Sequence, residues 1–416
     1  MSKYLLTLSL LGLASEGFTE INTQNNCAPV PPATCFEDEC RQCYCLGPEN
    51  YMVNAPVCPK TCNGDFIIQV AGFYWNAHQD GMEYALETSV QNPFIANPLG
   101  PSTAETQVLN NLVDAEYFTP NFKWDWGFKI GLGYCTTCDG WDLGVTWTWY
   151  RGKAFSHIEA EADDQHTLLP LWSAFAPANG GVLFATDAES RWKLSLNLVD
   201  LDLGRNFWTS KYLALRPYIG IRIAYIKQGW DIEYKGGSWS AFQSQSVPLV
   251  QAQSTFNNEV CLNNNFHGVG PRAGLSSEWN LGCGWGIYGN WALAIVYGRF
   301  SIDHEEHNTQ AVAPYNGVKI LESDSSFRAS RALLDLALGL QYSEMFCDCA
   351  YGFTGMIGWE HHHFFHQNQM WRVVRLGDNG ALPLVNNLNN SGENGFFQRR
   401  GSLDTQGWTL TLKFEF

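Results

Sequence analysis

The chain has 416 residues, of which 45% are hydrophobic and 14% aromatic but only 16% charged. A soluble domain usually carries about 25% charged residues, so this composition argues against a soluble protein of the same size. The net charge of −16 argues against nucleic acid as a partner, and after residue 14 no unbroken apolar stretch reaches the roughly 20 residues of a spanning helix.

In chain order, Met1-Ser2-Lys3 is followed by an apolar run from Tyr4 to Leu13, with the small residues Gly12 and Ala14 placed as at a signal-peptidase site. Residues 1–14 are therefore expected to be a signal peptide, too short to cross a bilayer. Residues 15–64 hold Cys27, Cys35, Cys40, Cys43, Cys45, Cys58 and Cys62, and export to an oxidising compartment makes disulfides the default reading. The pairs Cys40/Cys43 and Cys58/Cys62 also have zinc-like spacing, but the intervening Cys45 and the exported setting argue against a metal. The odd total of 13 leaves at least one thiol free or joined to another chain.

From Asp65 onward the dominant signal is two-residue alternation, which places alternate side chains on opposite faces of a strand. Ten strands are expected, near residues 66–75, 122–134, 141–151, 190–204, 212–226, 266–279, 286–300, 328–342, 350–363 and 402–416. Met82–Thr88 and Trp230–Tyr234 are pieces that could add more, so that twelve or more strands remain open. The fold class is all-β, a transmembrane antiparallel barrel over residues 65–416 whose apolar faces meet lipid and whose other faces meet a hydrated or ion-paired interior. In residues 190–204 the apolar phase slips, because Leu194, Leu196 and Leu198 are even while Leu201 and Leu203 are odd; a bulge near Val199 is expected to restore it. Pro217 is awkward inside a strand, since it costs a ladder hydrogen bond.

On the interior face the alternation places Lys123, Lys129, Lys193, Arg216, Arg222, Arg272 and Lys413 against Asp125, Asp142, Glu278, Asp335 and Glu415. Such a mixture lines a narrow pore or closes it by pairing. A ten-strand barrel is not far above the eight-strand size whose side chains fill it. Isolated charges there would carry a desolvation cost, so pairing is expected.

Connections alternate between short turns near 135–140, 205–211, 280–285 and 343–349 and long Asn-, Gly-, Ser- and Pro-rich stretches. Outer-membrane barrels put short turns in the periplasm and long loops outside, so both termini are expected to be periplasmic. Cys135, Cys138, Cys283, Cys347 and Cys349 then fall in periplasmic turns, with only Cys261 on the outer side. The segment Glu360-His361-His362-His363, with His366, lies at the outer end of a strand and is read as a rim cluster in contact with headgroups, not a catalytic centre. No Gly-x-Ser-x-Gly or His-Glu-x-x-His motif occurs, no cofactor is implied, and an enzyme is not expected. In the last strand Trp408, Leu410, Leu412, Phe414 and Phe416 share one apolar face, expected to be the signal read by barrel-assembly machinery.

The Cys-rich entry, Phe73-Tyr74-Trp75-Asn76-Ala77 with Tyr84-Ala85, Leu215-Arg216-Pro217-Tyr218-Ile219-Gly220-Ile221-Arg222 and Gly268-Val269-Gly270-Pro271-Arg272-Ala273-Gly274-Leu275 resemble the major outer membrane protein family of Legionella, with relatives in chlamydia-like bacteria. The resemblance runs from about residue 60 to the end. It implies an abundant surface barrel, porin-like and cross-linked by disulfides to neighbours or to itself. The alternative is an adhesin or receptor acting through the long loops, which commonly carry function on a rigid scaffold.

Overall fold

The computed structural model describes residues 56–57, 64–89, 113–136, 140–160, 166–174, 185–236, 257–308, 319–346, 351–375 and 394–416. The ends 1–14 and most of the Cys-rich segment 15–64 lie outside them, and with them Cys27, Cys35, Cys40, Cys43, Cys45, Cys58, Cys62, Cys138, Cys347 and Cys349. Among the described residues there are sixteen strands, β1 (Asp65–Gln79), β2 (Ala85–Ser89), β3 (Val113–Phe118), β4 (Trp124–Cys135), β5 (Trp141–Glu159), β6 (His166–Pro170), β7 (Asp187–Arg205), β8 (Phe207–Trp208), β9 (Leu213–Lys235), β10 (Asn258–Gly282), β11 (Trp285–Asn308), β12 (Lys319–Phe346), β13 (Tyr351–Asn368), β14 (Trp371–Arg375), β15 (Asn394–Gln398) and β16 (Gly401–Glu415).

Ten of them close a barrel in the order β1-β4-β5-β7-β9-β10-β11-β12-β13-β16 and back to β1, every neighbour antiparallel. The ten strands read from alternation are these ten. The candidate extra pieces are different things: Ala85–Ser89 belongs to a separate three-stranded sheet, β3-β2-β6, and Trp230–Tyr234 is the long-loop end of β9. Closure is completed where the Phe66 and Phe416 backbones exchange both hydrogen bonds, at 2.7 and 3.0 Å.

The strands are far longer than a bilayer requires. A tilted spanning strand needs about 9–11 residues, whereas β9 has 23, β10 25, β11 24 and β12 28. The surplus lies at the long-loop end, and there the polarity of the wall inverts. On β9, Ile219, Ile221, Ile223 and Tyr225 face outward and exposed, with Arg222 turned in. Farther along the same strand Lys227 faces outward while Ile226, Trp230, Ile232 and Tyr234 are fully buried inside. Strand β7 does the same: Leu201 and Leu203 face lipid, whereas Trp192, Leu194, Leu196 and Leu198 point into a packed interior.

This inversion corrects the expected bulge near Val199. The β5–β7 and β7–β9 ladders run through Val199 with no register shift. The apolar phase changes because the environment changes, from lipid outside to a protein core inside. Pro217 is accommodated because the β7–β9 ladder ends at Gly204/Tyr218 and the short β8–β9 ladder begins at Phe207/Leu215, so it falls between the two.

Aromatic rings border the lipid-facing zone. Toward the long-loop end Trp126, Tyr74, Trp124, Trp359 and Trp408 form a chain of ring contacts at 4.8–6.0 Å. Toward the short-turn end Phe66, Tyr134, Phe346, Tyr351, Phe414 and Phe416 do likewise. Of the inward glycines, Gly339 and Gly358 stand opposite each other, and a Cβ on Gly339 would meet the Tyr288 ring at 2.6 Å and one on Gly358 the Tyr288 hydroxyl at 2.3 Å. They seat a ring and do not widen a pore.

Candidate functional site

The lumen has three levels. At the short-turn end is a cavity of about 470 Å³, lined by Asp65, Cys135, Asp142, Glu278, Lys413 and Glu415 among others. Lys413 and Glu415 pair there at 2.5 Å. Pro56 bridges Phe207, and the Val57 N–H donates to the Asn206 carbonyl at 3.0 Å, which ties the chain preceding β1 to this end.

Above the cavity a belt of charged side chains crosses the barrel. Lys129 on β4 pairs with Glu360 on β13, and the same Glu360 oxygen lies 3.2 Å from His362 Nε2. His362 Nδ1 meets Asp335 on β12 at 2.7 Å. Asp335 in turn accepts from Arg222 on β9 at 2.7 and 3.1 Å and from Arg272 on β10 at 3.3 Å. Arg222 also grips Asp200 on β7 in a two-pronged contact at 2.6 and 2.7 Å, Arg272 reaches Asp202 at 2.6 Å, and Arg216 holds Asp142 through Nε at 2.7 Å. Arg222 is 2% exposed and Asp335 4%, so water does not separate these groups. The guanidinium groups of Arg216 and Arg272 lie 5.1 and 5.0 Å from the centre of the Tyr218 ring, whose hydroxyl donates to Asn290.

The charges balance. The carboxylates are Asp142, Asp200, Asp202, Asp335 and Glu360, against Lys129, Arg216, Arg222 and Arg272. Both ring nitrogens of His362 face carboxylate oxygens, so both donate and the imidazolium supplies the fifth positive charge. A buried set of this kind is tolerated because each charge has an opposite neighbour, whereas removing one partner leaves a buried charge uncompensated.

The third level fills the long-loop end of the barrel, called here the outer zone. Phe73, Trp75, Tyr150, Trp192, Trp230, Tyr234 and Phe300 from the wall pack with Tyr84, Leu86, Leu168 and Trp172 from the inserted small sheet and its flanks. Polar fastenings fix the insert: Tyr234 Oη donates to the Tyr84 carbonyl at 2.6 Å, and Trp172 Nε1 to the Glu83 carbonyl at 2.7 Å. Glu306 on β11 accepts from Ser173 Oγ at 2.7 Å, the Ala174 N–H at 2.8 Å and Asn258 Nδ2 at 2.6 Å. Trp75 joins the two levels, with Lys129 Nζ 5.0 Å and the His362 ring 4.7 Å from its ring.

Of the expected interior charges, Lys129, Asp142, Arg216, Arg222, Arg272 and Asp335 are in the belt, and Glu278, Lys413 and Glu415 line the cavity. Three are not interior ion-pairing groups. Lys193 lies beyond the inversion, where the odd face of β7 is the outer one, and is exposed. Lys123 lies exposed over the ring of exposed Phe155. Asp125 accepts from the Lys153 N–H at 2.9 Å, where the β4–β5 ladder lapses beyond Gly127/Tyr150. Alternation alone places Glu360, His362, Asp200 and Asp202 inside, but the rim reading of 360–363 hid the first two; only His361 and His363 face out. Trp408, Leu410, Leu412 and Phe416 are exposed on the lipid face of β16.

Among the described cysteines, Cys283 is disulfide-bonded, while Cys135 and Cys261 carry free thiols. Cys135, expected in a disulfide, stands opposite Asp65 and Asp142 on the inner face, so its thiol lines the cavity instead of reaching across a turn.

Residues 59–416 match the family model described as the Legionella pneumophila major outer membrane protein precursor. No curated protein matches the chain. Similar solved structures include the outer membrane protease OmpT of Escherichia coli, 9% identical over 86% of this chain and 97% of that one, with a TM-score of 0.27. A FadL homologue of Pseudomonas aeruginosa is 9% identical over 89% and 95%, with a TM-score of 0.21. A TodX deltaS2S3 mutant monoaromatic hydrocarbon channel is 8% identical over 86% and 92%, with a TM-score of 0.25. Likeness at that level reaches neither ligand nor chemistry.

Proposed function

Because the chain belongs to the Legionella major outer membrane protein family, we propose that it is a structural, non-enzymatic barrel of the outer membrane, with narrow, porin-like permeability that the packed outer zone and the charged belt hold low. The observation that supports this most is the chain Lys129–Glu360–His362–Asp335–Arg222–Asp200, which joins strands on opposite sides of the lumen. In this reading lipid contacts the exposed apolar belt, the long loops face outside, and both termini and the short turns face the periplasm. Barrel-assembly machinery inserts the chain. Disulfides from the Cys-rich segment link it to neighbours or to itself on the periplasmic face.

Swelling of proteoliposomes in small sugars tests the permeability. Wild-type protein should admit arabinose only slowly. A variant lacking residues 166–174 and carrying Arg222→Ala and Asp335→Ala should admit it several times faster, since both barriers are then breached. Wild-type swelling as fast as that of an open porin, or a variant no faster than wild type, would count against the proposal.

The protruding outer zone also supports a receptor or adhesin reading, because it carries the long loops well clear of lipid. Loss of host-cell binding on loop deletion, with the barrel intact, would identify that role.

A further inference from the structure

On the outward face of the wall, just past the aromatic chain of Tyr74, Trp359 and Trp408, two histidines and one carboxylate converge, with a third histidine on the neighbouring strand. His361 and His363 share the outward face of β13, two residues apart, and Asp404 on β16 stands directly opposite His363 in the ladder. His361 Nε2 lies 3.3 Å from Asp404 Oδ1, and His363 Nδ1 contacts the same oxygen. These three ligand atoms all lie within 4.8 Å of one another. On the other side of β16, His78 of β1 stands directly opposite Asp404, so that the order across three strands is His363, Asp404, His78.

We propose that His361, His363 and Asp404 form a binding site for a divalent transition-metal cation, Zn²⁺ foremost, on the outer surface of the barrel, with His78 placed to supply a fourth ligand. The spacing fits: Zn–N and Zn–O bonds of about 2.0–2.2 Å put tetrahedral ligand atoms about 3.4 Å apart, and the His361–Asp404 separation is already 3.3 Å. Two imidazoles and one carboxylate suit zinc or copper, while calcium and magnesium prefer shells of six or more oxygens. The ligands sit on paired strands, not on a loop, so their Cα positions are fixed by ladder hydrogen bonds. The Phe365 ring packs edge-on against His363 with centroids 4.2 Å apart, which limits its rotation. The side chains of His363 and Asp404 are each 24% exposed and that of His361 37%, enough for an ion to enter from solvent without unfolding.

His78 bonds Asp80 at 3.4 Å and lies edge-on to Phe122, so it joins the site only by changing rotamer. A second group, His157, Glu159 and Asp187, has one imidazole and two carboxylates, and Glu159 is 71% exposed. It is the weaker competitor for zinc and a useful internal control.

The test is calorimetric titration of Zn²⁺ into the full-length protein in detergent, freed of metal with chelator and checked for heat-modifiable migration on gels. Wild type should bind one equivalent at micromolar or lower free zinc. Losing an outer-shell partner of a metal site typically costs about 10–100-fold in affinity, so removing a ligand through His363→Ala, His361→Ala or Asp404→Asn should cost at least about tenfold. His78→Ala should weaken binding less, and His157→Ala should leave it unchanged. With Cu²⁺ as a spectroscopic probe, electron paramagnetic resonance should show nitrogen coupling that diminishes in His363→Gln. The proposal is overturned if wild type takes up no zinc at that concentration, if the His361→Ala/His363→Ala double variant keeps wild-type affinity, or if the loss follows His157→Ala instead.

Discussion

His304, on the outer end of β11, is 1% exposed and faces the packed outer zone, where neither ring nitrogen has a hydrogen-bond partner among the described residues. Burial alone pushes its pKa down to about 4. In the unfolded chain the imidazole takes its proton near the ordinary 6.5, but in the native protein only near 4. The native state therefore loses stability as pH falls from about 6.5 to about 4, by roughly 3 kcal/mol in all, and keeps it above that window. His304→Leu, which fills similar space without a titratable group, should flatten this loss. The measurement is the thermal midpoint at pH 7.5 and 4.5: wild type should drop more than the variant, and equal drops would refute the assignment. Nothing in the sequence marks this histidine, because its burial depends on which side of β11 faces the core so far from the membrane.

At the scale of elements, β16 is zipped between β13 and β1 and supplies both edges of the closure. Phe416 contributes the last pair of backbone hydrogen bonds and stacks near Phe66 at 6.1 Å. Deleting Phe416 removes that pair and one end of the aromatic border, so assembled protein should fall several-fold, with unfolded chain accumulating; normal heat-modifiable migration and surface display would contradict this. The strands were legible because alternation is strict wherever one face meets lipid, as in Ile219, Ile221 and Ile223. Their outer ends were not. Beyond Tyr225 the apolar set moves to the opposite face with no slip in register, and a reading that equates apolar with outward must stop there or invent a bulge. The same blindness put Lys193 inside and left Glu360 and His362 at the rim. Of the small sheet β3-β2-β6 only β2 was visible, within Met82–Thr88, and its partners β3 and β6 were not, since they are short and far apart in sequence.

At the scale of the whole barrel, the described residues form two environments stacked along one wall, a lipid-facing half with a polar, ion-paired interior and a long-loop half with an apolar core. Its orientation can be read from thiols. Cys261 lies on the outward face of β10 in the long-loop half, where burial first and then the carboxylates of Glu259, Asp231 and Glu305 push the thiol up to about 12. On intact cells an impermeant maleimide should label it slowly at pH 7.4, rising by up to about tenfold per pH unit as thiolate forms, while Cys135 in the cavity stays unlabelled. Labelling of Cys135 from outside would invert the barrel. The central claim is that balanced charges and a packed outer zone close the lumen, and single-channel recording of the wild-type protein in planar bilayers tests it most directly. The structure predicts small, infrequent current steps with weak preference between cations and anions; large, long-lived and strongly selective steps would contradict it.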